Sequence, residues 1–521
     1  MRYGNLALIQ SAYNSIDWDI FRKSGENLGF SFDKKADFVA LNSFVSLLTK
    51  NAIQYIKYLD NYILGFKIPQ LCKEFDLLKI FDDCVVNVEL KTDMIHESSI
   101  LKQLFENKKY LKVAFNNKEV YSFTFVSKTN QLFQFIDNNL VEVEPNELIE
   151  KLKKDEVEKV NLYHKFHPSK FLVSPYNDTE KFIEGFYSLT QSQKSVQKNI
   201  LSELNKNDKN FILVKGRAGT GKSLVALDLY KQLIDKGESV GFVFGAKLNQ
   251  GQHILRNKMN FSIFSPYDFG TRKEFDENTI IIVDEGQRLV DRNLNGGGRS
   301  NTFSNLKYYN NVVVFYDNVV VFYDNHQQIS NFEKKFKTVE KLENSRTSKI
   351  KEITSKIRTN PDLDQFLKSF FDLRVVKEYE KIHEEKYYIP SSMVNIYHIK
   401  GIDQAKIYTK YFAFESDYQL INMTTSQHTK EKLDNLKIDG IIPTTHDIIS
   451  QEFDNIVVMI DNNFFYNEKG ILSVKEESYY PTIDMLRQNL TRARYKVSIV
   501  IVDNPKLYQE IIELRRTSGS I

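Results

Sequence analysis

The chain of 521 residues holds only 2 cysteines, 1 tryptophan and 10 prolines. Two cysteines, Cys72 and Cys84, cannot build a disulfide framework or a four-cysteine zinc site. A reducing, cytoplasmic setting is the expectation that follows. No apolar run approaches the ~18 residues of a membrane-spanning helix, so no membrane partner is expected. The opening MRYGNLALIQSAYNS also lacks the long apolar centre of a secretory signal. Charge of one sign is scarce too: 71 Lys and Arg against 68 Asp and Glu leave a net charge of +3, too little to argue for nucleic acid by itself. Arginine is the rarer cation, 16 residues against 55 lysines, with none between Arg22 and Arg217. The later arginines therefore stand out. Lys, Asn, Ile, Phe and Tyr are plentiful, a pattern that AT-rich coding explains without a stacking platform.

A chain of this length predicts roughly three domains. Residues 1–150 alternate amphipathic stretches with short β-rich runs. ALNSFVSLLTKNAIQYIKYL has apolar residues three and four apart and predicts a helix at about 38–60. EFDLLKIFDDCVVNVELK predicts two strands around a turn, and ESSILKQLFENKKYL a second helix. Residues 151–184 are charge-rich and predict a linker. From about 185 the pattern becomes strand, loop, helix, repeated through FILVKG, VGFVFG, TIIIVDE and VVVFYDN. Near-continuous apolar strands belong to parallel sheets covered on both faces. The pattern resumes in YQLINM, FDNIVVMID and YKVSIVIVD. Two α/β lobes follow as the expectation, at 185–345 and 346–521. One oddity is a tandem copy: VVVFYDN at 312–318 recurs at once at 319–325. Strand side chains alternate with a period of two, so a seven-residue copy cannot continue the same strand in phase. Only one copy is expected in the central strand.

KGRAGTGKS is the strongest chemical signal. Gly216, Gly219 and Gly221 let the backbone wrap phosphate oxygens, and the following helix start adds partial positive charge. Lys222 can reach the β- and γ-phosphates of ATP, and the Ser223 hydroxyl can bind Mg²⁺. Beyond it, TIIIVDEGQRL ends a buried strand in Asp284 and Glu285. Asp284 is expected to hold Mg²⁺ and Glu285 to orient or deprotonate the attacking water.

In that context the chain resembles superfamily 1 helicases, and the DEGQRL and IRTNP wording resembles a bacterial group related to the Schlafen helicase domain. LTQSQ resembles the adenine-reading segment, which implies Gln193 on the base edge. FYDNHQQ resembles the coupling motif, with Asp324 starting the turn and Gln327 sensing the γ-phosphate. SKIRTNPDL implies Arg358 as the arginine opening the second lobe. THDIISQEFDNIVVM resembles the motif that contacts nucleic acid and ribose, implying Thr445, His446, Gln451 and Glu452. LTRARYKVSIVIV implies Arg492 as an arginine finger. These motifs span about 185–505. Ser450 departs from the glycine usual at its place in the ribose-contacting motif. The resemblance implies two RecA-like P-loop lobes with parallel sheets.

A second pattern lies in the N-terminal hairpin. If Asp82 and Asp83 form a two-residue turn, Asp76 lies opposite Glu89. Lys91 shares that face, while Cys84, Val86, Val88 and Leu90 point the other way. Facing carboxylates repel unless a divalent cation lies between them. The arrangement resembles restriction-endonuclease-like nucleases of the PD-(D/E)xK type. That implies an N-terminal α/β nuclease-like domain with Asp76 and Glu89 as metal ligands, Lys91 beside a water, and Mg²⁺ or Mn²⁺ as the metal. Gln103, Asn107 and Tyr110 lie on the helix that follows.

The expectation for the whole chain is an ATP-dependent DNA helicase or translocase fused to a metal-dependent nuclease. By resemblance it acts on foreign, phage DNA in bacterial defence, alone, as a homo-oligomer or with a partner defence protein. An ATPase switch with an inactive N-terminal sensor domain and an RNA-directed helicase are the alternatives.

Overall fold

The computed structural model describes residues 3–28, 30, 35–51, 58–68, 73–94, 97–154, 157–166, 173–206, 210–269, 275–276, 278–289, 318–336, 343, 348–354, 361–383 and 392–513. They form two compact units, one of Met1–Leu172 with Phe186–Gln191, the other of Val173–Gly185 with Ser192–Ile521.

The N-terminal unit is built on a six-stranded sheet in the order β1 (Ile63–Lys67), β2 (Glu74–Ile80), β3 (Cys84–Lys91), β4 (Glu119–Val126), β5 (Gln131–Ile136) and β6 (Asn139–Val143). All neighbours are antiparallel except β3 and β4. Helix Glu97–Ala114 makes the crossover that a parallel pair requires. The Phe81 N–H donates to the Cys84 carbonyl at 2.8 Å, so Asp82 and Asp83 form the tip, and the ladder runs from Ile80 opposite Val85 to Leu77 opposite Val88. This is the register expected from the sequence. Cys84, Val86, Val88 and Leu90 join one core with Phe38, Leu41 and Phe44 of helix Lys35–Asn51. Val85, Leu78 and Ile80 join another with Tyr110, Leu111 and Ala114 of the crossover helix. Each large apolar side chain so buried contributes about 1.5–3 kcal/mol.

The described residues of 151–184, expected as a linker, include buried ones. Leu162 and Phe166 are fully buried in the second of these cores, and Val157 bridges to Phe81.

The C-terminal unit contains a parallel sheet in the order β12-β7-β11-β10-β8-β9. Its strands are β7 (Asn210–Gly216), β8 (Val240–Phe244), β9 (Ile263–Phe264), β10 (Ile280–Asp284), β11 (Asn318–Tyr323) and β12 (Ser348–Ile353). A second parallel sheet, β13-β18-β15-β14, is built from β13 (Val394–Ile399), β14 (Gln419–Leu420), β15 (Phe453–Ile460) and β18 (Ala493–Val502). An antiparallel pair, β16 (Phe464–Tyr466) and β17 (Leu472–Val474), stands apart from it. The apolar runs behave as expected: Val243, Ile281, Val283, Val319 and Val321 fill the first core, and Ile456, Val458, Ile499 and Ile501 the second.

Two details differ from or sharpen the sequence reading. β12, expected in the second lobe, pairs with β7, so the first lobe extends past 345 to at least Ile353. It is an edge strand carrying Lys349, Lys351 and Glu352, and one partner gives it no continuous apolar run to betray it. The second VVVFYDN copy supplies β11, between β7 and β10; residues 312–317 of the first copy lie outside the described residues. Gly216, Asp324 and Asp284 thus emerge at the carboxyl ends of β7, β11 and β10, where parallel α/β sheets bind ligands.

Candidate nucleotide site

The phosphate loop leaves β7 and enters helix Lys222–Asp235 through Gly219 and Gly221, with φ of 75° and 80°. That left-handed backbone is strained for any residue with a Cβ. The Thr220 hydroxyl donates to the Arg217 carbonyl at 2.9 Å. The Lys222 ammonium folds onto the same carbonyl at 3.1 Å and lies 3.9 Å from the Asp324 carboxylate. Gln193, implied at the base edge, donates its amide to the Thr220 carbonyl at 2.8 Å, so here it braces the loop.

Asp284 is fully buried. Its carboxylate accepts from the Ser223 hydroxyl, the Tyr176 hydroxyl at 3.1 Å and the Glu285 N–H at 3.0 Å. Burial, and then the adjacent Glu285, raise its pKa. A hydroxyl in contact with a buried carboxylate is an oxygen-only donor set, which fits Mg²⁺.

Glu285 has φ of 58° and is held on both oxygens. Gln287 donates to one at 2.5 Å and Arg288 at 3.1 Å, and the Ser450 hydroxyl donates to the other. Burial would raise this carboxyl, but Arg288, Arg492 and Lys222 outweigh it and hold the pKa low. Gln287 also accepts the Asp324 N–H at 3.0 Å, tying together the ends of β10 and β11. Neither Gln287 nor Arg288 was singled out in the sequence, although both stand in the DEGQRL string.

From the second lobe, Arg492 donates to the Gln327 amide oxygen at 3.0 Å, and both side chains are buried. Among the described residues, Arg492 Nε and Gln327 Nε2 have no hydrogen-bond partner. Buried donors normally have one, so these two are disposed to meet an acceptor-rich ligand. Gln327 borders a cleft of about 500 Å³ that is also lined by Arg217, Asp324, Arg487, Gln488 and Thr491, the residue before Arg492. Gln488 is 2% exposed and its amide is likewise unpartnered among the described residues. It lies four residues before Arg492, and no sequence pattern marks it. Arg358 lies outside the described residues.

The other implied residues are bonded to their own lobe or to Asn177. Thr445 is buried, and its N–H donates to the Asn422 carbonyl at 3.0 Å. His446 Nδ1 lies 2.8 Å from the Thr424 hydroxyl, and burial with the nearby Arg288 brings its pKa down to about 4. The Gln451 N–H donates to the Ile448 carbonyl at 3.0 Å. The Glu452 N–H donates to Asn177 at 2.7 Å, and its carboxylate lies 3.7 Å from Arg494.

Ser450 explains its own departure from glycine. Its φ is 60°, the conformation a glycine would adopt freely, and its hydroxyl reaches Glu285. Ser450→Ala keeps the strain and loses the bond, whereas Ser450→Gly loses the bond but relieves about 1–2 kcal/mol of strain. Thermal unfolding is expected to rank the glycine variant above the alanine variant; equal melting temperatures would contradict the left-handed backbone.

In the N-terminal unit, Glu89 is fully buried. Its oxygens accept from Gln103 at 2.5 Å and Asn107 at 2.8 Å, and Lys91 lies 3.8 Å away. The Asp76 carboxylate accepts the Leu90 N–H at 2.8 Å. Burial, and then Asp76, push the Glu89 pKa up. The two carboxylates suit Mg²⁺ or Mn²⁺ as oxygen donors. Among the described residues, however, no group of three or more His, Cys, Asp or Glu side chains could hold a metal.

Residues 209–394 match the family Schlafen group 3, DNA/RNA helicase domain. Over that stretch the match agrees with the helicase resemblance drawn from the sequence. The match takes in Lys222, Asp284, Glu285 and Gln327, and stops short of Arg492 and of the N-terminal cluster. No curated protein matches the chain. Among solved structures, the chain is similar to the Pif1 helicase from Candida albicans at 12% identity, over 62% of this chain and 98% of that one, with a TM-score of 0.32. The Bacteroides sp Pif1 in complex with ADP-AlF4 has 14% identity over 62% and 95%, with a TM-score of 0.30. Mss116p bound to ssRNA and AMP-PNP has 15% identity over 69% and 78%, with a TM-score of 0.31. Similarity at that level bears on neither residue roles nor activity. Among the described residues, no helix is long and apolar enough to cross a membrane.

Proposed function

We propose that the C-terminal unit is an ATP-hydrolysing motor that moves on nucleic acid, most simply single-stranded DNA. The observation that carries this reading is the buried hydrogen bond of Arg492 to Gln327, which lines a cleft together with Arg217 of the phosphate loop. The Lys222 loop binds the phosphate tail. Ser223 and Asp284 would hold a Mg²⁺ ion, which when bound would draw charge from the phosphate oxygens. Glu285, kept ionised by its arginines, accepts a proton from the water that attacks the γ-phosphorus, and ADP leaves with the bridging oxygen. Lys222 and Arg492 stabilise the charge on the transferred group. Because Arg492 comes from the second lobe, hydrolysis changes the contact between lobes, and that change moves a bound strand.

The N-terminal unit is read as a metal-dependent nuclease with Asp76, Glu89 and Lys91 at its centre, and the fusion as a cytoplasmic defence enzyme against phage DNA, acting alone, as a homo-oligomer or with a partner defence protein. The support is the shared face of the three residues in the observed register. A second reading, an inactive sensor domain, is favoured by the two amide donors that already occupy Glu89. Cleavage of end-labelled DNA and RNA with Mg²⁺ or Mn²⁺ separates them. Metal-dependent cutting is expected in the wild type, with Lys91→Ala losing about 10²-fold or more while ATP turnover stays intact. No cutting with either metal would leave the sensor. Stimulation of ATP turnover by RNA over DNA would turn the motor reading to RNA.

A further inference from the structure

Three consecutive residues in the stretch expected to be a spacer touch both lobes of the C-terminal unit. Tyr176 is buried, donates its hydroxyl to Asp284 at 3.1 Å and meets the Phe244 ring edge-on, with centroids 5.5 Å apart. Gly251 permits this approach, since a Cβ there would lie 2.2 Å from the Tyr176 carbonyl oxygen. Next in the chain, Asn177 accepts the Glu452 N–H at 2.7 Å, and Asp178 accepts from Arg494 at 2.8 Å. The turn is closed on itself: the Ser174 hydroxyl donates to Asn177 at 3.1 Å and the Ser174 N–H to Asp178 at 3.2 Å.

We infer that Val173–Gly185 is a strap that links the spacing of the two lobes to the orientation of Asp284, with Tyr176 as a positioning residue for that carboxylate. The inference rests on the ATPase reading above. The other two donors to Asp284, Ser223 and the Glu285 N–H, come from the first lobe, so they travel with it. The Tyr176 hydroxyl is different, because the residues next to it are pinned to the second lobe through Glu452 and Arg494. A shift of the second lobe moves Asn177 and Asp178, and with them the phenol that fixes the plane of the carboxylate. Arg494, two residues beyond Arg492, thus acquires a task distinct from phosphate contact.

The test uses the full chain as wild type, Tyr176→Phe, Asp178→Asn and the double variant, read by hydrogen exchange and by ATP turnover. Tyr176→Phe keeps the ring against Phe244 and removes only the hydroxyl. Asp178→Asn is expected to speed amide exchange at 173–178 and also at 280–285 by about tenfold, the scale of one charge-assisted hydrogen bond. In the Tyr176→Phe background, Asp178→Asn no longer alters 280–285. Each single change lowers kcat with KM for ATP unchanged, and the double variant is no slower than the slower single. Exchange at 280–285 indifferent to Asp178→Asn, or kcat losses that multiply, would overturn the strap. Exchange needs no turnover, so a wild type that fails to hydrolyse ATP is seen separately.

Discussion

Arg492→Ala is expected to lower kcat for ATP hydrolysis by about 10³-fold or more, with a much smaller change in KM. The guanidinium is buried at the Gln327 amide, and its Nε is unpartnered among the described residues, so that donor is free to meet a phosphate oxygen. Interactions that strengthen as charge develops on the transferred phosphoryl group act on kcat, not on ground-state binding. Arg492→Lys recovers little, because an ammonium lacks the planar fork that serves Gln327 and a phosphate oxygen together. An unchanged melting temperature would assign the loss to chemistry. A wild-type kcat in Arg492→Ala would remove the second lobe from the reaction.

Glu285→Gln is expected to lower kcat by about 10²–10⁴-fold while ATP still binds, as loss of a general base does. The change is nearly isosteric and leaves one acceptor oxygen for Gln287, Arg288 or Ser450. It also removes the negative charge that faces Arg288 and Arg492, so equilibrium binding of ATP is expected to hold or tighten slightly. Stopped hydrolysis with retained binding is the signature to look for. Equal loss of both would mean that Glu285 only braces the ends of β10 and β11.

The parts of this arrangement visible in the sequence are those set by short-range rules. The phosphate loop shows because glycine spacing, the preceding apolar run and the following helix lie within some 20 contiguous residues. The N-terminal hairpin register shows because Asp82 and Asp83 leave one short turn, and a period of two then fixes Asp76 against Glu89. What stayed hidden depends on contacts between distant segments. Tyr176, Asn177 and Asp178 sit in a charge-rich stretch without periodicity, and only folding brings them to Asp284, Glu452 and Arg494. Gln488 carries no pattern of its own, since an amide in a helix is unremarked until its burial without a partner is seen. β12 escaped because an edge strand need not be apolar throughout. The resemblance implies Thr445 and His446 as contacts to nucleic acid or ribose, and the bonds of the Thr445 N–H to Asn422 and of His446 to Thr424 are ones that no short-range pattern foretells.

The most direct measurement is magnesium-dependent ATP turnover by the full chain with single-stranded DNA, wild type beside Lys222→Ala. Turnover that rises with DNA in the wild type and vanishes in the variant is the predicted result. Equal rates in the two proteins, or none in either, would contradict a phosphate tail gripped at Lys222.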